Sequence, residues 1–383
     1  MNAYKKIIKN MNGLYLTVYD TNDTSSGVCK KIKSQVKVFE ENGINIDIID
    51  SNSISVIKNS YMVDAFYAIL GKNNINLYRM FDVIKQKMLE KKYNFIYIRY
   101  PLMDKFQVDF FKSIKKTYPS LKLFFEIPTY PYDSEIRLSQ RLVSLNDKKF
   151  RKQLKDFADR IITYSKDKKI FGVKTINISN GIDYTRFKLR TPIQHSGINV
   201  VAVALFEKWH GYDRFLNGMF QQPEIVRANN IHLYLAGKGR VLSKYKSETM
   251  KHKLSKYVHF MGEIHGEELN LLYNQADIAL DSMGRHRVGV YFNSSLKGKE
   301  YCAYGVPIIS GVTTELDSLK DFKYYLRVPA DESVINMNDV VSFFYKCYNE
   351  KTSIEVAEEI RNFTIPFFEL GKAFKPVVDY IKD

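Results

Sequence analysis

The chain has 383 residues, of which 45% are hydrophobic, 14% aromatic and 26% charged. That is the balance of a packed globular protein, and the length exceeds what one core organises, so two domains are expected and a long disordered tail is not. The formal charge of +16 lies in one half: residues 1–190 hold 35 Lys and Arg against 19 Asp and Glu, whereas residues 191–383 hold 23 against 23. An excess confined to one half asks for an anionic partner there, either a membrane surface or a phosphate-bearing substrate; nucleic acid is disfavoured because no recognised nucleic-acid motif accompanies the charge.

Short β-branched or aromatic runs alternate with amphipathic stretches from end to end, the pattern of strands and crossover helices in α/β domains. The opening MNAYKKIIKNMNGLYL is too polar for a secretory signal and no long apolar run follows, which points to the cytoplasm. GLYLTVYD predicts a first strand, and a helix opens near Ser26 and ends at Gly43. Gly27 lies at its start, where helix amides meet a phosphate or an acceptor, or where the chain simply turns from strand to helix. INIDIID, FIYIRY, LKLFFEI and RIITYS supply the remaining strands of the first half. Glu126, Tyr130 and Asp133 follow LKLFF as polar candidates at the end of a strand; the alternative for Glu126 is a capped turn before Pro128. KLRTPIQHSG has no regular period and reads as a linker.

The second half continues with INVVAVA, IHLYLAG, YVHFMG, IALDS and VPIISG as strands and EELNLLYNQA and SLKGKEYCAYG as helices. The expected architecture is α/β: two doubly wound Rossmann-like domains, one over 1–190 and one over 191–365. A C-terminal helix over 366–383 could cover either domain, with packing back on the first as one expectation. Ligands of such sheets bind at the carboxyl ends of the strands, so the site is expected in a cleft shared by the two domains. Cys29, Cys302 and Cys347 are odd in number and far apart, which suggests reduced thiols and neither a disulfide framework nor a zinc site.

The most specific local signal is SSLKGKEYCAYGVPIIS, residues 294–310. A helix opening at Ser294 or Ser295 and closing at Gly305 offers amides and a positive dipole end to phosphate, with Lys297 as a mobile cation. Glu300, one turn further in, suits a vicinal diol such as a ribose. This stretch, together with SGVCKKIKSQVKVFEENGINIDI, ITYSK at 162–166, ISNGIDYTRF at 178–187, LYLAGKGR at 233–240 and VHFMGEIHGEELNLLYNQADIALDS at 258–282, resembles the retaining GT-B glycosyltransferases of sugar-transferase family four. FEIPTYPYD at 125–133 and EKWHGYDRF at 207–215 are most similar to members that build capsular and other surface polysaccharides.

The resemblance implies a UDP- or GDP-sugar donor, a glycan or lipid diphosphate-linked acceptor, and hexosyl transfer with retention, in which a donor phosphate oxygen takes the acceptor proton. Glu300 matches the second glutamate of the family's E-x7-E motif; Phe292 stands in place of the first, with Asn293 beside it. Gly237 and Gly239 match the glycine pair after the second strand of the donor domain, although G-x-G taken alone favours a tight structural turn. Leu205 occupies the position of the family's arginine and His210 that of its lysine, which makes Lys208 and His210 joint candidates for the diphosphate. Glu126, Lys208, His210 and Lys297 are thus the expected catalytic group. Gly27, Gly237, Gly239, Asn293, Ser294, Ser295, Leu296 and Glu300 are expected on the donor, and Tyr130 and Asp133 on the acceptor. No D-x-D pair occurs, so neither a metal nor another cofactor is expected. The basic first half is expected to rest on the inner face of the cell membrane. Phe292 motivates a competing expectation, a catalytically inert module of the same fold that binds nucleotide or glycan. A nicotinamide oxidoreductase is disfavoured by the lack of G-x-G-x-x-G after a first strand.

Overall fold

The structure, a computed structural model, describes residues 11–23, 26–54, 69–70, 72–73, 75–133 and 140–383. It divides into two compact units, one of residues 1–178 and 374–383 and the other of residues 179–373.

In the first unit, β1 (Met11–Leu16), β2 (Ile44–Ile49), β3 (Phe95–Arg99), β4 (Lys122–Ile127), β5 (Arg160–Thr163), β6 (Lys169–Ile170) and β7 (Val173–Asn177) form one sheet in the order β2-β1-β3-β4-β5-β7-β6. All pairs are parallel except β6 with β7. Strands covered on both faces are apolar throughout, which is why β3 is buried along its whole length. Helix α1 (Gly27–Glu41) begins where Ser26 Oγ accepts the Cys29 amide, and it buries Cys29, Ile32, Val36 and Phe39 at helical spacing. Helices α2 (Ile75–Glu90), α3 (Lys105–Thr117) and α4 (Arg141–Phe150) follow in this unit.

The second unit holds β8 (Ile198–Val203), β9 (Ile231–Ala236), β10 (Val258–Gly262), β11 (Ile278–Leu280), β12 (Ile308–Ser310) and β13 (Tyr325–Arg327) in the order β10-β9-β8-β11-β12-β13. Every pairing in it is parallel. Its helices are α5 (Tyr212–Gln221), α6 (Pro223–Ala228), α7 (Leu242–Lys251), α8 (Glu267–Asn274), α9 (Leu296–Tyr304), α10 (Met337–Tyr348) and α11 (Ser353–Phe368).

The division comes before the segment read as a linker, because the chain just ahead of that segment, and Arg190 within it, pack on the second unit. Ile182 exchanges backbone hydrogen bonds with Phe368 and Leu370 at 2.9 and 3.0 Å. Arg190 is buried and donates through Nε to the Gly305 carbonyl at 3.0 Å. The C-terminal stretch is two helices rather than one, broken at Glu369: α11 ends at Phe368, and α12 spans Leu370–Lys382. From Phe374 onward it belongs to the first unit, where Phe374 meets Phe39 at 5.1 Å and Tyr380 meets Phe124 at 5.8 Å, edge to face. Cys29, Cys302 and Cys347 are buried and unbonded, and burial raises the thiols of the last two to about 12. Among the described residues, no helix is long and apolar enough to cross a membrane.

Candidate functional site

In the second unit the chain works outward from β8 to β9 and β10 on one side, then crosses to β11, β12 and β13 on the other. The strand order therefore reverses between β8 and β11, and their carboxyl ends flank the crevice where doubly wound sheets bind ligands. Backbone contacts pull the loops there together. Phe206 N–H donates to the Lys238 carbonyl at 2.7 Å, and Met283 N–H donates to the His210 carbonyl at 2.7 Å. Glycine makes both approaches possible: a Cβ on Gly237 would stand 2.0 Å from the Ala204 oxygen, one on Gly239 2.0 Å from the Phe206 oxygen, and one on Gly211 2.4 Å from the Gly284 nitrogen. The glycine pair predicted to approach the donor thus joins the loops after β8 and β9.

Lys208–His210 form a single 3-10 turn closed by Gly211 in the left-handed region. It turns the buried His210 ring toward α9, with Nε2 3.1 Å from Nζ of Lys297, and stacks the ring on Tyr212. Burial, together with the charges of Lys297 and Arg285, holds the imidazole at about 2, so it is neutral. Burial also lowers the Lys297 ammonium and the Arg285 charge adds to this, whereas Asp281 and Glu300 oppose it. Lys208 is exposed, and its carbonyl accepts from Arg287 at 2.8 Å. Leu205, at the position of the family's arginine, is 58% exposed. Arg285, on the 3-10 turn Arg285–Val288 after β11, is the cation whose charge reaches both His210 and Lys297.

Ser295 caps α9: its Oγ accepts the Gly298 amide at 3.2 Å and donates to Oδ1 of the buried Asp281 at 2.7 Å. That places the first-turn amides of Leu296 and Lys297, which have no acceptor within a helix, at the reversal point. Glu300 is half-buried one turn on. Asn293 is half-buried and donates its amide to the Thr313 carbonyl at 2.9 Å. Ser294 is buried and supports the loop: its Oγ accepts from Asn180 N at 2.8 Å and from Lys299 Nζ at 2.6 Å, and donates to Glu315. Lys299 continues that support through a 3.1 Å ion pair with Glu315. Lys297, His210, Ser295, Leu296 and Glu300 are therefore brought together around one helix start, with Ser294 behind them.

In the first unit, Gly27 is exposed at the start of α1, and a Cβ there would touch nothing within 4 Å. Asp133 is paired with Arg151 at 2.9 Å and Lys148 at 3.6 Å, which outweigh its burial and keep its carboxyl below the usual range. Tyr130 is half-buried, edge-on to Phe171 at 5.8 Å. Glu126 is not where an orienting group would be: it is fully buried, its oxygens taking bonds from Tyr97, Tyr164, Arg99 and Gln35 at 2.8–3.0 Å. Burial alone would raise its carboxyl, but the Arg99 and Lys31 charges and these bonds hold it below the usual value. In this arrangement it carries Arg99.

Arg99 and Asp281 are the residues that sequence reading passes over. Each is a charge closing an otherwise apolar strand run at its carboxyl end, in FIYIRY and IALDS, and that position is the signal that reveals them.

No protein-family model matches the chain, and no curated protein matches it in sequence. Solved structures do. A glycosyltransferase from Rickettsia africae ESF-5 is similar over 98% of both chains, with a TM-score of 0.66 and 13% identity. The lipopolysaccharide outer core galactosyltransferase WaaB is similar over 97% of this chain and 100% of its own, at 0.61 and 12%. An alpha-glucosyltransferase solved in complex with UDP and a 13-mer DNA matches over 98% of this chain and 100% of its own, at 0.61 and 15%. The chain has the GT-B fold. At these identities the likeness speaks for architecture, and the chemistry has to come from the site.

Proposed function

We propose that the protein is a glycosyltransferase that moves a hexosyl group from a UDP- or GDP-sugar to a glycan or lipid-linked acceptor in surface polysaccharide synthesis, with retention and without a metal. One observation carries this reading: the start of α9, Lys297, His210 and Arg285 converge at the reversal point of a doubly wound sheet, with Glu300 one turn away. Amides and cations at a helix start suit a diphosphate, and a carboxylate one turn further suits a ribose diol. UDP in the similar alpha-glucosyltransferase and the galactosyl role of WaaB support the same reading.

Transfer breaks the bond from the anomeric carbon to the diphosphate oxygen and forms one to the acceptor oxygen on the same face of the sugar. The electron pair stays on the diphosphate, whose growing charge the α9 amides and Lys297 stabilise, and a diphosphate oxygen takes the acceptor proton. Lys208 at the mouth adds a second cation. No side chain acts as a nucleophile.

The test is binding and slow hydrolysis of a panel of UDP- and GDP-sugars, with EDTA in one arm. Selective binding, unaffected by EDTA and weakened about tenfold or more in Glu300→Ala, is expected, since a charged hydrogen-bond acceptor is lost. Binding without turnover favours the inert module. Its motive is Phe292, which replaces the first glutamate and bridges to Thr313 along the backbone.

A further inference from the structure

Beside the crevice of the second unit, one side chain has all of its donors taken. Arg287 lies on the 3-10 turn Arg285–Val288 after β11, and its guanidinium carries five N–H groups. Nη1 donates to the Lys208 carbonyl at 2.8 Å and to Oδ1 of Asp213 at 2.9 Å. Nη2 donates to Oδ2 of Asp213 at 2.9 Å and to Oε2 of Glu332 at 2.6 Å, and Nε donates to Oε1 of Glu332 at 2.8 Å. Each N–H thus meets a different oxygen, and both carboxylates are held by paired bonds, a geometry that a guanidinium fits and an ammonium does not. With no N–H left to offer a ligand, Arg287 acts through what it holds.

It holds three loops at the carboxyl edge of one sheet. Lys208 belongs to the turn after β8, Arg287 itself follows β11, and Glu332 follows β13; Asp213 lies in the first turn of α5, just beyond the Lys208–His210 turn. The turns after β8 and β11 also meet backbone to backbone. The Met283 amide donates to the His210 carbonyl at 2.7 Å, and a Cβ on Gly211 would stand 2.4 Å from the Gly284 nitrogen. No side chain fits between the turns at that point, and the Arg287 fork ties them beside it. One turn carries Lys208 and His210, the other carries Arg285, and His210 Nε2 lies 3.1 Å from Lys297 Nζ at the start of α9. The bonds from Arg287, helped by His286, outweigh burial and hold the Glu332 carboxyl at about 2, so the fork stays closed across ordinary pH. The Glu332 side chain is 63% exposed, and ion pairs so exposed add little to stability. What the fork supplies is position, since groups that touch a ligand work best when a second layer of bonds locks them in place.

We propose that Arg287 is a positioning residue for the donor diphosphate: by clamping the turn after β8 to the turn after β11, it sets the spacing of Lys208 and Arg285. This rests on the donor reading above, which puts a diphosphate at that crevice.

The test titrates the full chain with UDP and uridine, and with GDP and guanosine, followed by ligand-observed NMR so that weak binding is measured too. The wild-type chain is compared with Arg287→Lys, which keeps the charge and loses the fork, and with Glu332→Gln, which opens one pair of bonds and leaves the Asp213 pair. Melting curves check that both variants fold, and Glu332→Gln carries the test if Arg287→Lys does not. The expected result is that the nucleoside diphosphate binds about tenfold more weakly to Arg287→Lys and less weakly than that to Glu332→Gln, while nucleoside affinity is unchanged in both. A merely structural role would weaken nucleoside and nucleotide alike, and that result, or unchanged nucleotide affinity, overturns the proposal and leaves the donor reading standing. A wild-type chain that binds neither UDP nor GDP overturns the donor reading and the proposal with it.

Discussion

His210 shows how much one ring can depend on its neighbours. Glu207 donates its amide to Nδ1 at 3.1 Å, and Nε2 faces Lys297 Nζ at 3.1 Å. Protonating the ring would set a second donor against Glu207 and a charge against Lys297, which is the physical content of its fall to about 2. The unfolded chain has no such restraint and takes up the proton near 6.5. Stability is therefore at its full value above about pH 6.5 and is lost as pH falls below it, by about 1.4 kcal/mol per pH unit from this group. His232 and His259, also lowered by burial, act in the same direction, whereas His195, raised by its bond to Asp277, acts in the opposite one. Urea unfolding at pH 7, 6 and 5 should show the wild-type chain losing stability faster than His210→Gln, the difference isolating this ring; parallel losses would count against it. From sequence, His210 is legible only as a candidate cation. Its neutrality depends on burial and on two residues far along the chain, which no local pattern carries.

At the scale of elements, most of what the sequence implies is present: the strand runs, the start of α1 at Ser26 and the capped start of α9 at Ser295 all appear. Period and cap chemistry are local, and so they can be read directly. β6, β7 and β13 are not legible, since few of their residues are buried and no continuous apolar run marks them. The glycines are legible as residues but not as roles, because a role depends on what lies across the turn. Gly237, at φ +132°, faces the Ala204 oxygen, whereas Gly27 faces open space. Gly237→Ala should cost about 2–3 kcal/mol through overpacking and backbone strain, while Gly27→Ala should be neutral or stabilise by about 0.5 kcal/mol. Thermal unfolding of the two variants checks this, and similar melting temperatures would mean that the loops after β8 and β9 are not joined as described.

At the scale of the molecule, the charge excess and the fold divide along nearly the same line, since residues 1–190 carry all of it and the first unit takes residues 1–178. Part of that charge is consumed locally: Arg151 is held by Asp133, and Lys115 by Asp159 at 2.7 Å. Much of the rest is solvated lysine, Lys30, Lys116 and Lys149 among them. Solvated lysines near an anionic leaflet each contribute about 1 kcal/mol, and their effect fades beyond a Debye length of about 10 Å at 0.1 M salt. If the first unit rests on such a surface, binding to vesicles rich in anionic lipid should fall steeply between low and physiological salt and vanish on neutral vesicles. Charge reversal at Lys30, Lys116 and Lys149 should weaken binding in proportion to the lysines replaced, without changing affinity for the nucleotide sugar proposed for the second unit. Salt-independent association would point instead to apolar insertion, and no association would leave the excess to serve the phosphate of the substrate alone. Sedimentation of vesicles with the full chain across a salt series distinguishes the three.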